Sequence, residues 1–228
     1  MVSRMANSDS VLSSKKEIRG EIGYFGLEEW WLTQFSEEER QYILNRFRPL
    51  EFSVSLGETS EVLTSRDKIV DNSKHSLISG NISFTTSTAV SLLYSLAAWF
   101  MKESERPLAH RMLVKAEELA SQESDRSDRF WLYHHKIEIY YKDRTEPSKL
   151  KKAIEACYQQ IDIVNESGSK LKDNTFFLGY WQLTVIFEKQ GKYNEAINIC
   201  NLALDNGIKG DWKRRIERYS KKRDKILK

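Results

Sequence analysis

Proline is scarce, with three residues in 228, and glycine numbers ten. An all-β fold built on many tight turns needs more of both, so the shortage favours long uninterrupted helices. Only two cysteines occur, Cys157 and Cys200. They supply neither a disulfide framework nor the paired spacing of a zinc site. The four histidines, His75, His110, His134 and His135, contain no His-x3-His pair, so a zinc ion is not expected. A Gly-x-Ser-x-Gly elbow and a phosphate-binding glycine loop are both missing. No catalytic residue, metal or cofactor is therefore predicted, and the chain is expected not to be an enzyme.

Long apolar runs are missing too. The longest, Ala89 to Met101, is too short to span a bilayer and is interrupted by serines. Residues 1–20 are polar, without the apolar core of a signal peptide. The expected location is the cytoplasm, with no membrane partner. The acceptor-like triplets at Asn81 and Asn165 carry no weight without a secretion signal.

What is present is ordinary for a globular chain: 30% charged and 40% hydrophobic residues, enough to bury a sizeable core. The net charge of +3 is unevenly placed. From Asp211 onward nine Lys/Arg face three Asp/Glu, so the tail carries +6 and the remainder −3.

Residues 1–16, rich in Ser and Asn, read as a disordered tail. Residues 17–49 form an aromatic helical module around Phe25, Trp30, Trp31 and Phe35. Within it, Ser36 and Glu39 have the spacing of a capping box, and Pro49 ends the helix that follows. The Trp30-Trp31 pair is expected to be a small core rather than a docking patch. Residues 50–87 read as a loop-rich connector. Glu51 to Val54 alternates like a strand, and residues 66–70 suggest a short helix. Beyond Thr88 the spacing of apolar residues predicts helices over 89–103, 107–121, 126–142, 147–165, 175–190 and 193–206. A charged helix follows from Trp212. Short links between such helices imply antiparallel hairpins.

The hairpin from Tyr180 to Ala203 carries the clearest pattern. Tyr180, Leu183, Thr184 and Phe187 are followed by Gly191, Tyr193, Ala196 and Ala203. This order of large, leucine, small and aromatic positions, then a Gly turn and Tyr-x-x-Ala, resembles the tetratricopeptide repeat. Small side chains at Thr184, Ala196 and Ala203 let two helices approach while bulky ones fill the groove. The same frame fits upstream at Leu93, Leu96, Ala97, Phe100, Ala109, Leu113 and Ala116. A middle unit, with a bulkier first helix, carries Ala153-Ile154-Glu155-Ala156-Cys157 against Ala196-Ile197-Asn198-Ile199-Cys200. Second helices recur every 43 or 44 residues rather than the family's 34, so the links are long.

The resemblance implies an all-α fold: an α-solenoid of about three tetratricopeptide-like hairpins over 88–228, with the N-terminal module ahead of it and a C-terminal capping helix. In that family the first helices line a concave groove that holds a peptide. The corresponding positions here are Tyr94, Ala98, His134, Glu138, Tyr141, Trp181, Val185 and Glu188. Two places of the family's carboxylate-clamping set are taken by Tyr94 and Ala98, which disfavours a chaperone-tail receptor. The implied function is a non-catalytic adaptor or regulator that binds a protein or peptide partner, with self-association open. The alternative is nucleic-acid binding through Arg214, Arg215, Arg218, Lys221 and Lys222 on the last helix. Against it, Trp212, Ile216 and Tyr219 at helical spacing predict an apolar face docked on the preceding hairpin.

Overall fold

The computed structural model describes residues 18–47, 62–63, 69–70, 77–123, 125–167 and 176–226. The expected N-terminal tail and the alternating stretch at 51–54 lie outside these residues. Ten helices and three very short strands make the protein predominantly α-helical among the described residues. The chain divides into two compact units, 1–87 and 88–228.

The first unit opens with α1 (Gly20–Tyr24), α2 (Glu28–Gln34) and α3 (Glu37–Arg46). Helix α3 begins with the capping box that the sequence predicts. Ser36 Oγ accepts the Glu39 amide at 3.1 Å, and Glu39 Oε2 accepts the Ser36 amide at 3.0 Å. Arg40 reaches back to the carbonyls of Leu32 and Phe35 at the end of α2. Trp31 and Phe35 are buried, with ring centroids 5.3 Å apart, alongside buried Ile22, Leu27, Ile43 and Phe47. Trp30 stays half-buried, edge-on to Phe35.

One expectation is corrected in this unit. Residues 69–70, predicted as part of a short helix, are a strand. β1 (Val62–Leu63), β2 (Ile69–Val70) and β3 (Ile82–Phe84) form an antiparallel sheet in that order. An adjacent Ile-Val pair fits a pleated strand better than an isolated helical turn. Backbone bonds also tie α1 to the chain before β3: the Arg19 amide donates to Ile78 O and the Ile22 amide to Leu77 O.

The second unit comprises α4 (Ala89–Ala97), α5 (Arg106–Glu123), α6 (Arg126–Lys142), α7 (Pro147–Ser167), α8 (Leu178–Lys189), α9 (Tyr193–Asp205) and α10 (Trp212–Ile226). Each helix packs on the next, and α4 also meets α6 as α6 meets α8. The first helices of successive hairpins therefore form one layer. The small residues Ala97, Ala109, Ala116, Ala153, Ala156, Thr184, Ala196 and Ala203 are all fully buried. That is the burial close helix packing demands.

Local chemistry sets the helix ends. Thr88 Oγ1 accepts the Ser91 amide at 2.9 Å and donates to Asp128 Oδ2 at 2.6 Å, so one hydroxyl both caps α4 and ties it to α6. Helix α4 stops at Ala97, earlier than predicted, and Phe100 is buried from the turn that follows. Gly191, at φ 71°, ends α8. Its amide donates to Glu188 O and the Lys192 amide to Phe187 O, a Schellman pair that a left-handed residue makes possible. Pro147 opens α7, where its missing N–H costs nothing.

Candidate functional site

On the α4–α6–α8 layer, helical spacing decides which side chains turn away from the core. On α6 the stripe runs through Trp131, His134, His135, Glu138 and Tyr141, while Lys136, Ile137, Ile139 and Tyr140 turn inward. Trp131 is 41% exposed, large for an aromatic side chain on a packed helix. Tyr94 on α4 and Ala98 at its C-terminal cap are half-buried, and on α8 so are Trp181, Val185 and Glu188.

The rings of α4 and α6 form a continuous run. Tyr94 stacks on His135 at 5.4 Å and 24°, His135 meets His134 edge-on at 5.6 Å, and His134 lies 5.3 Å from Trp131. Two of these residues, Trp131 and His135, were not among the sequence candidates. Their signal was available: they sit three residues before and one after His134, on the same side of a 3.6-residue helix. Ala98 and Val185 make no ring contact, and Trp181 belongs to a separate cluster with α10.

Electrostatically this face is mixed. Glu138 Oε2 lies 3.4 Å from His135 Nδ1 and Glu138 Oε1 3.9 Å from His134 Nε2. The His135 contact holds the Glu138 carboxyl below its ordinary value in spite of partial burial. Burial pushes the His134 imidazole down, against the pull of Glu138. Farther along α6, the Arg144 guanidinium lies 4.9 Å and the Lys189 ammonium 5.6 Å from the Tyr141 ring centre.

Helix α10 docks through the face that the sequence predicts: Trp212 and Tyr219 are buried and Ile216 packs beside them. The five basic candidates do not share one surface. Arg215 is buried, bonded to Asp211 at 2.6 Å and to Thr184 Oγ1 at 3.1 Å, over the rings of Trp181 and Trp212. Arg218 and Lys222 both bind Glu188, at 2.8 and 2.7 Å. Burial works to raise that carboxyl, and the Lys222 bond with the Arg218 charge pulls it below its ordinary value. Arg214 and Lys221 stay exposed.

A second charged cluster lies at the start of α5, where no sequence signal marked it because Asp143 is more than thirty residues from its two partners. Asp143 accepts Arg106 Nε at 2.7 Å and sits 2.7 Å from His110 Nε2. His110 stacks on Tyr140 at 4.6 Å. Burial lowers the His110 pKa even though Asp143 favours its charged form. Mutual pairing of all three groups makes this a clasp between α5 and the end of α6. Cys157 and Cys200 are fully buried, and burial raises both thiols, that of Cys200 to about 11. They pack as small apolar groups and hold no thiolate at neutral pH.

Among the described residues, no group of three His, Cys, Asp or Glu side chains is placed to hold a metal ion, and no helix is long and apolar enough to cross a membrane. Compared with known proteins, the chain matches no family model, no curated protein and no solved structure.

Proposed function

We propose that the chain is a non-catalytic, cytoplasmic adaptor or peptide-sensing regulator built on tetratricopeptide-like hairpins. A protein or peptide segment lies along the groove formed by α4, α6 and α8. The observation that carries this reading is the run Tyr94–His135–His134–Trp131, a series of partly buried rings that crosses two first helices and ends on the exposed Trp131. Such side chains offer large contact area with few rotors to freeze, which is why they dominate binding energy at interfaces.

The nucleic-acid alternative is weaker on these contacts. Arg215, Arg218 and Lys222 would have to leave Asp211 and Glu188 to reach phosphate. Only Arg214 and Lys221 of the five are exposed without an ion pair among the described residues.

The test is selection from a random peptide display library, with selected peptides remeasured by fluorescence anisotropy. Tyr94→Ala/Trp131→Ala should bind about tenfold or more weakly, with an unchanged circular dichroism spectrum. Selection of no peptide, or equal binding by the double variant, would sink the groove. A labelled oligonucleotide bound with steep salt dependence, and lost in Arg214→Ala/Lys221→Ala, would move the function to α10.

A further inference from the structure

We propose that the partner segment is acidic, and that one of its Asp or Glu side chains is held at Tyr141 by Arg144 and Lys189. This rests on the groove reading and gives its partner a chemistry.

Two independent observations carry it. The first is local. Tyr141 lies at the end of the α6 stripe with its hydroxyl buried and, among the described residues, without a hydrogen-bond partner. Arg144 and Lys189 both lie over its ring. The remaining bond of Arg144 is to the Tyr141 carbonyl, at 3.2 Å. A buried phenol without an acceptor is a cost that a native site normally meets with a partner. A carboxylate supplies the acceptor that the hydroxyl lacks and the counter-charge that both cations lack.

The second is the charge balance of the whole face. Two of its carboxylates are already answered by fixed cations within the chain, Glu188 by Arg218 and Lys222 and the nearby Asp143 by Arg106, while Glu138 contacts His134 and His135 and is also stabilised by the Lys142 charge. Two cations beside Tyr141 have no such partner: Arg144 and Lys189 meet no carboxylate within ion-pair distance among the described residues, and α4 carries no charged residue at all. Lys142 and Lys189 do complement the C-terminal ends of α6 and α8. That role explains their charge, and it does not explain a buried hydroxyl beside them. The cations cluster at helix ends rather than in a row that could track successive phosphates, which favours a peptide carboxylate over nucleic acid.

The experiment uses the full chain and three fluorescein-labelled dodecapeptides sharing one set of apolar residues, with the other positions filled by Glu, Gln or Lys. A labelled single-stranded oligonucleotide is the fourth probe. The Glu peptide should bind tightest and weaken as salt rises. Arg144→Glu/Lys189→Glu should weaken it by about tenfold or more. Tyr141→Phe keeps the ring and should weaken it severalfold at unchanged melting temperature. Equal or tighter binding of the Gln or Lys peptide would overturn the proposal, as would indifference of the Glu peptide to the charge reversals. Preference for the oligonucleotide overturns it by assigning the cations to phosphate. A Gln peptide that binds as well and still needs Tyr94 and Trp131 leaves the adaptor standing while the acidic partner falls. No binding by any of the three peptides also ends the acidic proposal, and the display selection then decides the groove.

Discussion

Gly179 has no side chain because there is no room for one. A Cβ there would lie 2.7 Å from the Cys157 carbonyl oxygen, so α8 starts pressed against the backbone of α7. Its amide donates to Gln160 Oε1 at 2.7 Å, and Gln160 is buried between the helices. Gly179→Ala must push backbone from backbone and should cost about 1–3 kcal/mol in urea unfolding. Gly191→Ala meets nothing within 4 Å but must hold φ 71°, so about 1–2 kcal/mol of purely conformational cost is expected. The two variants should therefore separate in hydrogen exchange near Gln160, which only the first disturbs.

Acid should loosen the second unit through its histidines. Burial keeps His110 and His134 below their ordinary 6.5, so the folded state prefers them neutral. As pH falls through 6.5 the unfolded chain takes up these protons first. The stabilisation is thus complete above about pH 7 and is lost progressively on acidification toward the lower, folded-state values. The melting temperature should fall between about pH 7.5 and 5.5, and His134→Gln should flatten that slope. An unchanged slope in this variant would remove His134 from the account.

At the scale of elements, α10 is held by burial first and charge second. Trp212 is 4% exposed and its indole N–H donates to Ile208 O at 2.8 Å. Trp212→Ala should cost about 3–5 kcal/mol. Lys222→Ala breaks a half-exposed contact and should cost less than about 1 kcal/mol. Both are checked by chemical denaturation, and the reverse order would make α10 a charge-held arm. Residues 18–210 should expose the Trp181 face and self-associate in light scattering.

Helices were legible where apolar spacing persists over three or more turns, as in α5 to α10. The start of α7 follows from Pro147, and the end of α8 from Gly191. Periodicity overran α4, because Phe100 and Met101 continue an apolar pattern that the backbone no longer follows. The sheet was invisible: strands of two or three residues are too short to show an alternation of period two. At the candidate site, the family frame selects Tyr94, His134, Glu138 and Trp181. It does not include Trp131 and His135, whose rings join those of Tyr94 and His134, since a fixed set of positions samples less than the full width of a helix face. No one-dimensional pattern could report that Arg215 is buried over two indoles, because that contact depends on where α10 docks.

For the molecule as a whole, the main packing in the second unit is between helices adjacent or next-but-one in sequence. Such short-range connectivity favours fast folding and makes the unit a natural candidate for isolation. Residues 88–228 produced alone should give a strongly helical circular dichroism spectrum and a cooperative thermal transition. They should also retain the peptide affinity of the full chain, if α4, α6 and α8 alone form the groove. A truncated unit that folds but no longer binds would show that residues 1–87 contribute to recognition.

The burial of Arg215 has an optical corollary. Its guanidinium lies 5.5 Å from the Trp181 ring centre and 5.8 Å from that of Trp212, where α10 docks on the preceding hairpin. Undocking of α10 would hydrate both indoles at once and shift their emission to longer wavelength. The native chain thus contains its own fluorophores for following the attachment of its last helix, on the timescale of stopped-flow mixing and without an added label.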